Sequence, residues 1–412
     1  MNKQPVFSFR IIRKYFLSVL LLSLFILVSG CSFLFLGSKD DFPSVFSKTD
    51  TVLVVVEDGL YDPLFSELQV YTDDLSVAGL NTVVTVWQSG TFEEFRSFLH
   101  ITADVKKADS VMLVGSLPVA WYEMNAEGRY EVFPSDLYFM DDESVWWDSD
   151  NNGLLDHHTK ISVTLPVSRI IGSEQELKGY FHKLHNFRTG EIRLPASGFI
   201  FKDDDWFDFQ RGSSFGLSRI YRDFEIAESP VITTRDEYAW RLTNDGAEFI
   251  NQWIHSYPRA LYVIENNQYR QISLNDISNW NFKGHFYNLF DCSAARFTEE
   301  NIGMTYLMKT DYAMAIFGST KVGGCYQPLV FYDILSRKGT WADAYKQWYN
   351  HYGNTSDSWF LGMVILGDPS LEVHSDGPVY RMIDMSLPPE PVQEEIDSLN
   401  DKFRDFFDSY TF

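Results

Sequence analysis

The chain of 412 residues predicts an α/β fold: two adjacent α/β subdomains with mostly parallel sheets flanked by helices. Three observations carry this expectation. Short β-branched runs alternate with stretches of helical spacing over residues 51–114. The alternation breaks over 118–160 and resumes near 161. A second set of buried apolar runs begins at 196. Strand–helix–strand order in short repeats requires parallel strands joined by helical crossovers.

The elements follow in order. Residues 51–56 form a continuous β-branched run, the pattern of a strand buried on both faces. Pro63 marks a helix start, and that helix runs towards Ala78. Residues 81–87 are a second strand; Phe92, Phe95 and Leu99 repeat at helical spacing; residues 111–114 are a third strand, closed by Gly115. Residues 118–160 are loop-rich, aromatic and acidic. A strand near 161–170 and a helix near 174–187 complete the N-terminal subdomain, set at 51–190. The C-terminal subdomain, set at 191–375, opens with a strand over 196–202 that ends in Asp203-Asp204-Asp205-Trp206. Residues 286–290 and 313–317 are two more buried strands. Trp341, Ala344, Tyr345 and Trp348 make an apolar stripe at helical spacing, which predicts core. Residues 376–412 comprise a Pro-rich linker and an acidic stretch. There Phe403, Phe406 and Phe407 suit an amphipathic docking helix.

The first 30 residues read as a signal peptide. Lys3, Arg10, Arg13 and Lys14 precede an apolar run over 15–28, which ends in Val28-Ser29-Gly30-Cys31. A basic start, a short apolar core and small residues mark a secretory signal. The run is short for a membrane span. Small residues before a Cys match a bacterial lipobox, so Cys31 is expected to carry lipid and begin the mature chain. An uncleaved anchor helix is the alternative; both place the folded part outside the cytoplasm. Residues 31–50 then act as a tether. Ser32, rather than Asp, favours the outer membrane over the inner as the site on the bacterial envelope.

Composition narrows the partners. Hydrophobic content is 45% and aromatic content 16%, which suits a globular protein. The formal charge of -23 argues against nucleic acid, since phosphate binding needs a basic face. Of the three Cys, Cys292 and Cys325 remain after the lipid site, too few for a disulfide scaffold.

Cys292 directly follows the predicted strand over 286–290. In an open α/β sheet the functional crevice lies beyond the carboxyl ends of strands, so a thiol there is placed as a nucleophile. A buried, inert Cys is the alternative. A working thiol also needs a base, usually His. Cys325 reads as a core Cys or as a disulfide partner that would silence Cys292.

Several stretches, in order, resemble the gingipain-type cysteine peptidase family. They are Val114-Gly115-Ser116-Leu117-Pro118, Ser135-Asp136-Leu137-Tyr138-Phe139-Met140-Asp141, Asp203-Asp204-Asp205-Trp206, residues 286–297, residues 317–324, and Leu366-Gly367-Asp368-Pro369-Ser370-Leu371. The resemblance spans residues 51–374. It implies a caspase-like fold and a peptide or protein substrate. It also implies Cys292 at the nucleophile position and a specificity pocket shaped by 317–324. Ungapped matching puts Leu261 at the position of the family's catalytic His. His255, six residues earlier, is the candidate base if the local loop is rearranged. His285 is excluded, because seven strand residues span about 23 Å.

Asp148, Asp150, Asn152, Leu154 (through its carbonyl) and Asp156 occupy positions 1, 3, 5, 7 and 9 of an EF-hand-type loop with Gly153 at position 6. This predicts a structural Ca2+. Thr159 stands at position 12, where the bidentate Glu would be, so either affinity is lower or another chain segment completes the shell. The resemblance also implies structural calcium. His157-His158 is a weaker zinc pattern. Three functions follow: peptide-bond hydrolysis through Cys292, a surface module that binds peptide or protein without cutting, or a scaffold lipoprotein in which both Cys are structural.

Overall fold

The computed structural model describes residues 47–126, 129–207, 216–325, 327–353, 357–375 and residues 401, 402, 404 and 406. The signal segment, Cys31, Phe403 and Phe407 lie outside the described residues. Among the described residues, no helix is long and apolar enough to cross a membrane.

Ten strands make one sheet. They are β1 (Thr51–Glu57), β2 (Asn81–Trp87), β3 (Ser110–Val114), β4 (Val167–Ile170), β5 (Gly198–Lys202), β6 (Phe224–Ala227), β7 (Ala247–Trp253), β8 (Gly284–Phe290), β9 (Ala315–Ser319) and β10 (Met363–Gly367). Their spatial order is β6-β5-β7-β8-β9-β10-β4-β3-β1-β2. The strands β2, β1, β3, β4 and β10 are mutually parallel. So are β6, β5, β7, β8 and β9. The two blocks meet antiparallel at β9 and β10. Thus the last strand of the second half is hydrogen-bonded into the first. Gly367 at this seam has φ +98°, and a Cβ there would lie 2.3 Å from the Met314 carbonyl oxygen. Only glycine fits such an approach.

The sequence accounts for the individual elements. β1 is an uninterrupted run of buried Val and Leu, as a central parallel strand requires. Helix α1 (Phe65–Val77) starts just past Pro63. Helices α2 (Phe92–Lys106) and α3 (Glu174–Thr189) begin at capping boxes, Thr91 with Glu94 and Ser173 with Glu176. The predicted stripe of Trp341, Ala344, Tyr345 and Trp348 is fully buried. Trp341 stacks on Phe286, and Tyr345 and Trp348 meet Phe317 edge-on.

Two expectations need correction. The strand near 161–170 is only Val167–Ile170. Before it, the N–H and carbonyl of Val163 are taken by the Asn350 side chain at 2.8 and 2.9 Å, which replaces ladder bonds. β7 escaped the apolar-run criterion because Glu248, Asn251 and Gln252 interrupt it. All three are buried and paired: Glu248 with Tyr221 and His374, Asn251 with Trp253, Gln252 with Tyr238, Tyr306 and Asp291. Burial with partners removes the penalty that would exclude such residues from a central strand. After β7 the chain forms a three-stranded antiparallel meander, His255–Tyr257, Ala260–Glu265 and Gln268–Ser273.

Candidate active site

β7 and β8 deliver the site. They run parallel with Trp253 opposite Phe290. Two residues further along each chain come His255 and Cys292. The strands stay joined past their formal ends. The Ile254 N–H donates to Asp291 Oδ1 at 3.0 Å, and the Ser256 hydroxyl donates to the Cys292 carbonyl at 2.8 Å. Continued in this register, His255 and Cys292 are neighbours across strands spaced about 5 Å apart.

Leu261 does not hold that place. It pairs with Ser256 across the first hairpin of the meander and is fully buried. The chain doubles back after β7, so a residue six positions past His255 lies one strand away from the strand end. In that continued register His255, rather than Leu261, falls opposite Cys292, with no rearranged loop. His285 sits near the opposite end of β8, bonded to the Tyr312 carbonyl at 2.8 Å.

His255 has a defined orienting partner. Its Nε2 lies 2.8 Å from Asp205 Oδ2. Asp205 follows β5, the strand beside β7, and belongs to the acidic triplet at that strand's end. Its neighbours are otherwise engaged: Asp203 accepts the Ile264 N–H at 2.9 Å, and Asp204 accepts the Thr233 hydroxyl at 2.7 Å. Spacing alone assigns none of the three a role; position at a strand's carboxyl end is the sequence signal that singles out the triplet. Burial alone would raise Asp205. The His255 hydrogen bond and the charges of His255 and Lys402 overcome it and hold the carboxyl below its ordinary value. Burial pushes His255 below its own ordinary value, with Asp205 opposing.

Cys292 is 1% exposed. Burial raises its thiol far above the ordinary value, and Glu131 and Asp291 add to this; the Gly323 N–H and Lys321 oppose. Past the Cys the chain turns sharply, with Ser293 at φ +57°. The Ser293 and Ala295 N–H groups then donate to the Lys321 and Ser319 carbonyls at 2.8 and 2.9 Å. This binds the Cys292 turn to the loop after β9. Gly324 lets that loop lie on β8, since a Cβ would come 2.7 Å from the Phe290 Cα. Trp359 donates to the Gly324 carbonyl at 2.7 Å and completes the wall. Cys325 is a separate buried thiol, and neither Cys is in a disulfide.

The acidic loop is folded as a cation loop would be. Asp148 accepts the N–H groups of Asn151 and Gly153 at 2.7 Å, and Leu154 donates to Asn152 Oδ1 at 2.8 Å. Carboxylate oxygens of Asp150, Asp156 and Glu123 lie within 4.8 Å of one another. Glu123 comes from the strand Trp121–Ala126, so a second chain segment does approach the loop. Partial desolvation, with the Glu123 and Asp148 carboxylates, holds Asp150 above its ordinary value. Hard oxygens crowded in this way fit Ca2+ chemistry. His157 and His158 pair across a ribbon with Trp147 and Trp146; His157 stacks on Trp147 and His158 lies tilted against Trp146, so both rings are used in packing.

Comparison with known proteins places this geometry. No curated protein matches the sequence. A solved structure that resembles part of the chain is the periplasmic binding ribose operon repressor protein from Lactobacillus acidophilus. It has 10% identity over 50% of this chain and 67% of that one, with a TM-score of 0.17. The model of Peptidase family C25 matches residues 72–374, which contain every strand of the large sheet from β2 to β10 together with Cys292, His255 and Asp205. The chain belongs to peptidase family C25, the gingipain family of cysteine peptidases, and its large mainly parallel sheet is the α/β architecture consistent with a caspase-like fold.

Proposed function

We propose that the protein is a lipid-anchored, extracytoplasmic cysteine peptidase in which Cys292 is nucleophile, His255 is base and acid, and Asp205 orients the imidazole. The observation that carries this reading is the register of β7 and β8, which brings His255 and Cys292 to adjacent strand ends. An Nε2–H donated to Asp205 would leave Nδ1 for the thiol, the division of labour that a nucleophile–base–orienter set requires. The Cys292 proton passes to His255 as sulfur attacks the peptide carbonyl. His255 returns a proton to the leaving amine, and water releases the acyl group. Backbone N–H groups by the nucleophile, Gly323 among them, would steady the oxyanion and thiolate. Glu123, Asp150 and Asp156 would hold structural Ca2+, which supplies positive charge to the loop and takes no part in cleavage.

Cys31 ties this activity to the bacterial envelope, and the outer membrane is the expected surface. A second reading, a peptide- or protein-binding module, is favoured by one observation: Cys292 and His255 are both buried. Cleavage of a peptide library with calcium present decides between them. The peptidase reading expects cleavage that thiol alkylation blocks and Cys292→Ala abolishes. Folded protein that cuts nothing, as wild type or in the opened variant described next, leaves the binding module.

A further inference from the structure

The C-terminal stretch, expected to dock as an amphipathic helix, reaches the candidate dyad. Asp401, Lys402, Arg404 and Phe406 are helical, and Phe406 is fully buried. Its ring lies flat on the His255 imidazole, centroids 4.4 Å and planes 7° apart. Tyr257, Tyr262, Tyr269 and Ala260 enclose the rest of it. Lys402, one turn earlier on the same helix face, donates its ammonium to the Asp205 main-chain carbonyl. One short segment therefore touches both His255 and Asp205. A helix that merely completed the core could bury its aromatic ring against any apolar surface. This one covers a face of the proposed base and grips the residue that orients it.

We propose that this segment is an intramolecular inhibitor, bound in an aromatic pocket of His255, Tyr257, Tyr262 and Tyr269, and that an aromatic side chain of an incoming polypeptide enters the same pocket when the segment leaves. The pocket selects a flat apolar ring because it is lined by rings, which gain most from stacked or edge-on partners. The closed state also accounts for a proposed base that is out of reach of solvent. The inhibitory role rests on the reading of Cys292 and His255 as a dyad; the occlusion does not.

The full-length chain is compared with Phe406→Ala, Phe406→Tyr and Lys402→Ala. Carbethoxylation of His255, followed by peptide mapping, reports occlusion; peptide hydrolysis reports activity. The probe is a synthetic peptide of residues 398–412. Phe406→Ala should raise His255 modification by about tenfold or more and raise hydrolysis; the peptide should reverse both. Phe406→Tyr should stay near wild type. Lys402→Ala, which leaves the buried ring in place, should lie between and guards against a folding defect in Phe406→Ala. Unchanged His255 modification in both Phe406→Ala and Lys402→Ala overturns the proposal. So does hydrolysis that is full in wild type and unmoved when His255 opens. Modification that rises and is reversed by peptide, with no hydrolysis in any variant, supports the occlusion and defeats the peptidase reading instead.

Discussion

Trp253 and Phe290 lie nearly face to face, with ring centroids 4.0 Å apart and planes 23° off parallel, two residues before His255 and Cys292. The stack fixes the register of β7 and β8 where it matters. Trp206, beside Asp205, meets both rings and His255. The three strand ends are thus packed on one aromatic cluster. Phe290→Ala should destabilise the fold by roughly 3–5 kcal/mol. A denaturant titration measures this, and a loss below about 1 kcal/mol would show that the stack does not hold the strand ends together.

Asp205→Asn tests the orienter. The amide keeps the size and one acceptor but loses the charge that stabilises an imidazolium. Peptide hydrolysis in the opened Phe406→Ala background should fall by about 10²–10⁴-fold in kcat with the fold intact. Equal kcat with and without the substitution would remove Asp205 from the mechanism.

Calcium should stabilise the chain through the 148–156 loop. A ligand at about 100 times its Kd adds about 2.7 kcal/mol. Chelator should lower the melting temperature of wild type and leave Glu123→Gln or Asp150→Asn little changed. A melting curve that is indifferent to chelator counts against the site.

His285 predicts an acid-side loss of stability. Burial lowers it from 6.5 to about 4. Its folded value lies below its unfolded value, so between these two pH values the unfolded chain binds a proton that the folded chain refuses. The stability contribution is complete above pH 6.5 and is lost as pH falls towards 4, about 3 kcal/mol in all. His285→Asn retains a donor for the Tyr312 carbonyl and should flatten this part of the pH profile. Parallel wild-type and variant profiles would refute the assignment.

Arg169 and Asp136 form a fully buried ion pair through three hydrogen bonds of 2.7–2.9 Å. Arg169 also donates to the Pro118 carbonyl at 2.8 Å and lies 4.6 Å over the Phe297 ring. It thereby joins three stretches that are distant in sequence, one of them just past Cys292. Arg169→Met should cost roughly 3–5 kcal/mol, because it leaves Asp136 buried without a counter-charge. A double variant with Asp136→Leu should recover part of that loss in equilibrium unfolding. Strict additivity of the two substitutions would mean that they do not interact.

The sequence by itself determined the local elements whose signal is local. The all-apolar β1, the capping boxes of α2 and α3 and the Trp341–Trp348 stripe were legible because period and cap chemistry act over a few residues. It also placed Cys292 at a strand end, and it set the Asp148-to-Asp156 spacing of the acidic loop. Other features only the tertiary structure decided. β7 is a strand because partners on distant segments satisfy Glu248, Asn251 and Gln252, and no window of sequence contains those partners. Glu123 reaches the acidic loop from another ribbon. The register of β7 and β8 points His255, rather than Leu261, towards Cys292, because the chain turns back after β7 and residue spacing does not record a turn. Asp205, His255 and Cys292 arrive from three neighbouring strand ends. Phe406 reaches the same place from the far C-terminal stretch. Their meeting is a property of strand order, fixed by burial and pairing between segments that the sequence keeps far apart.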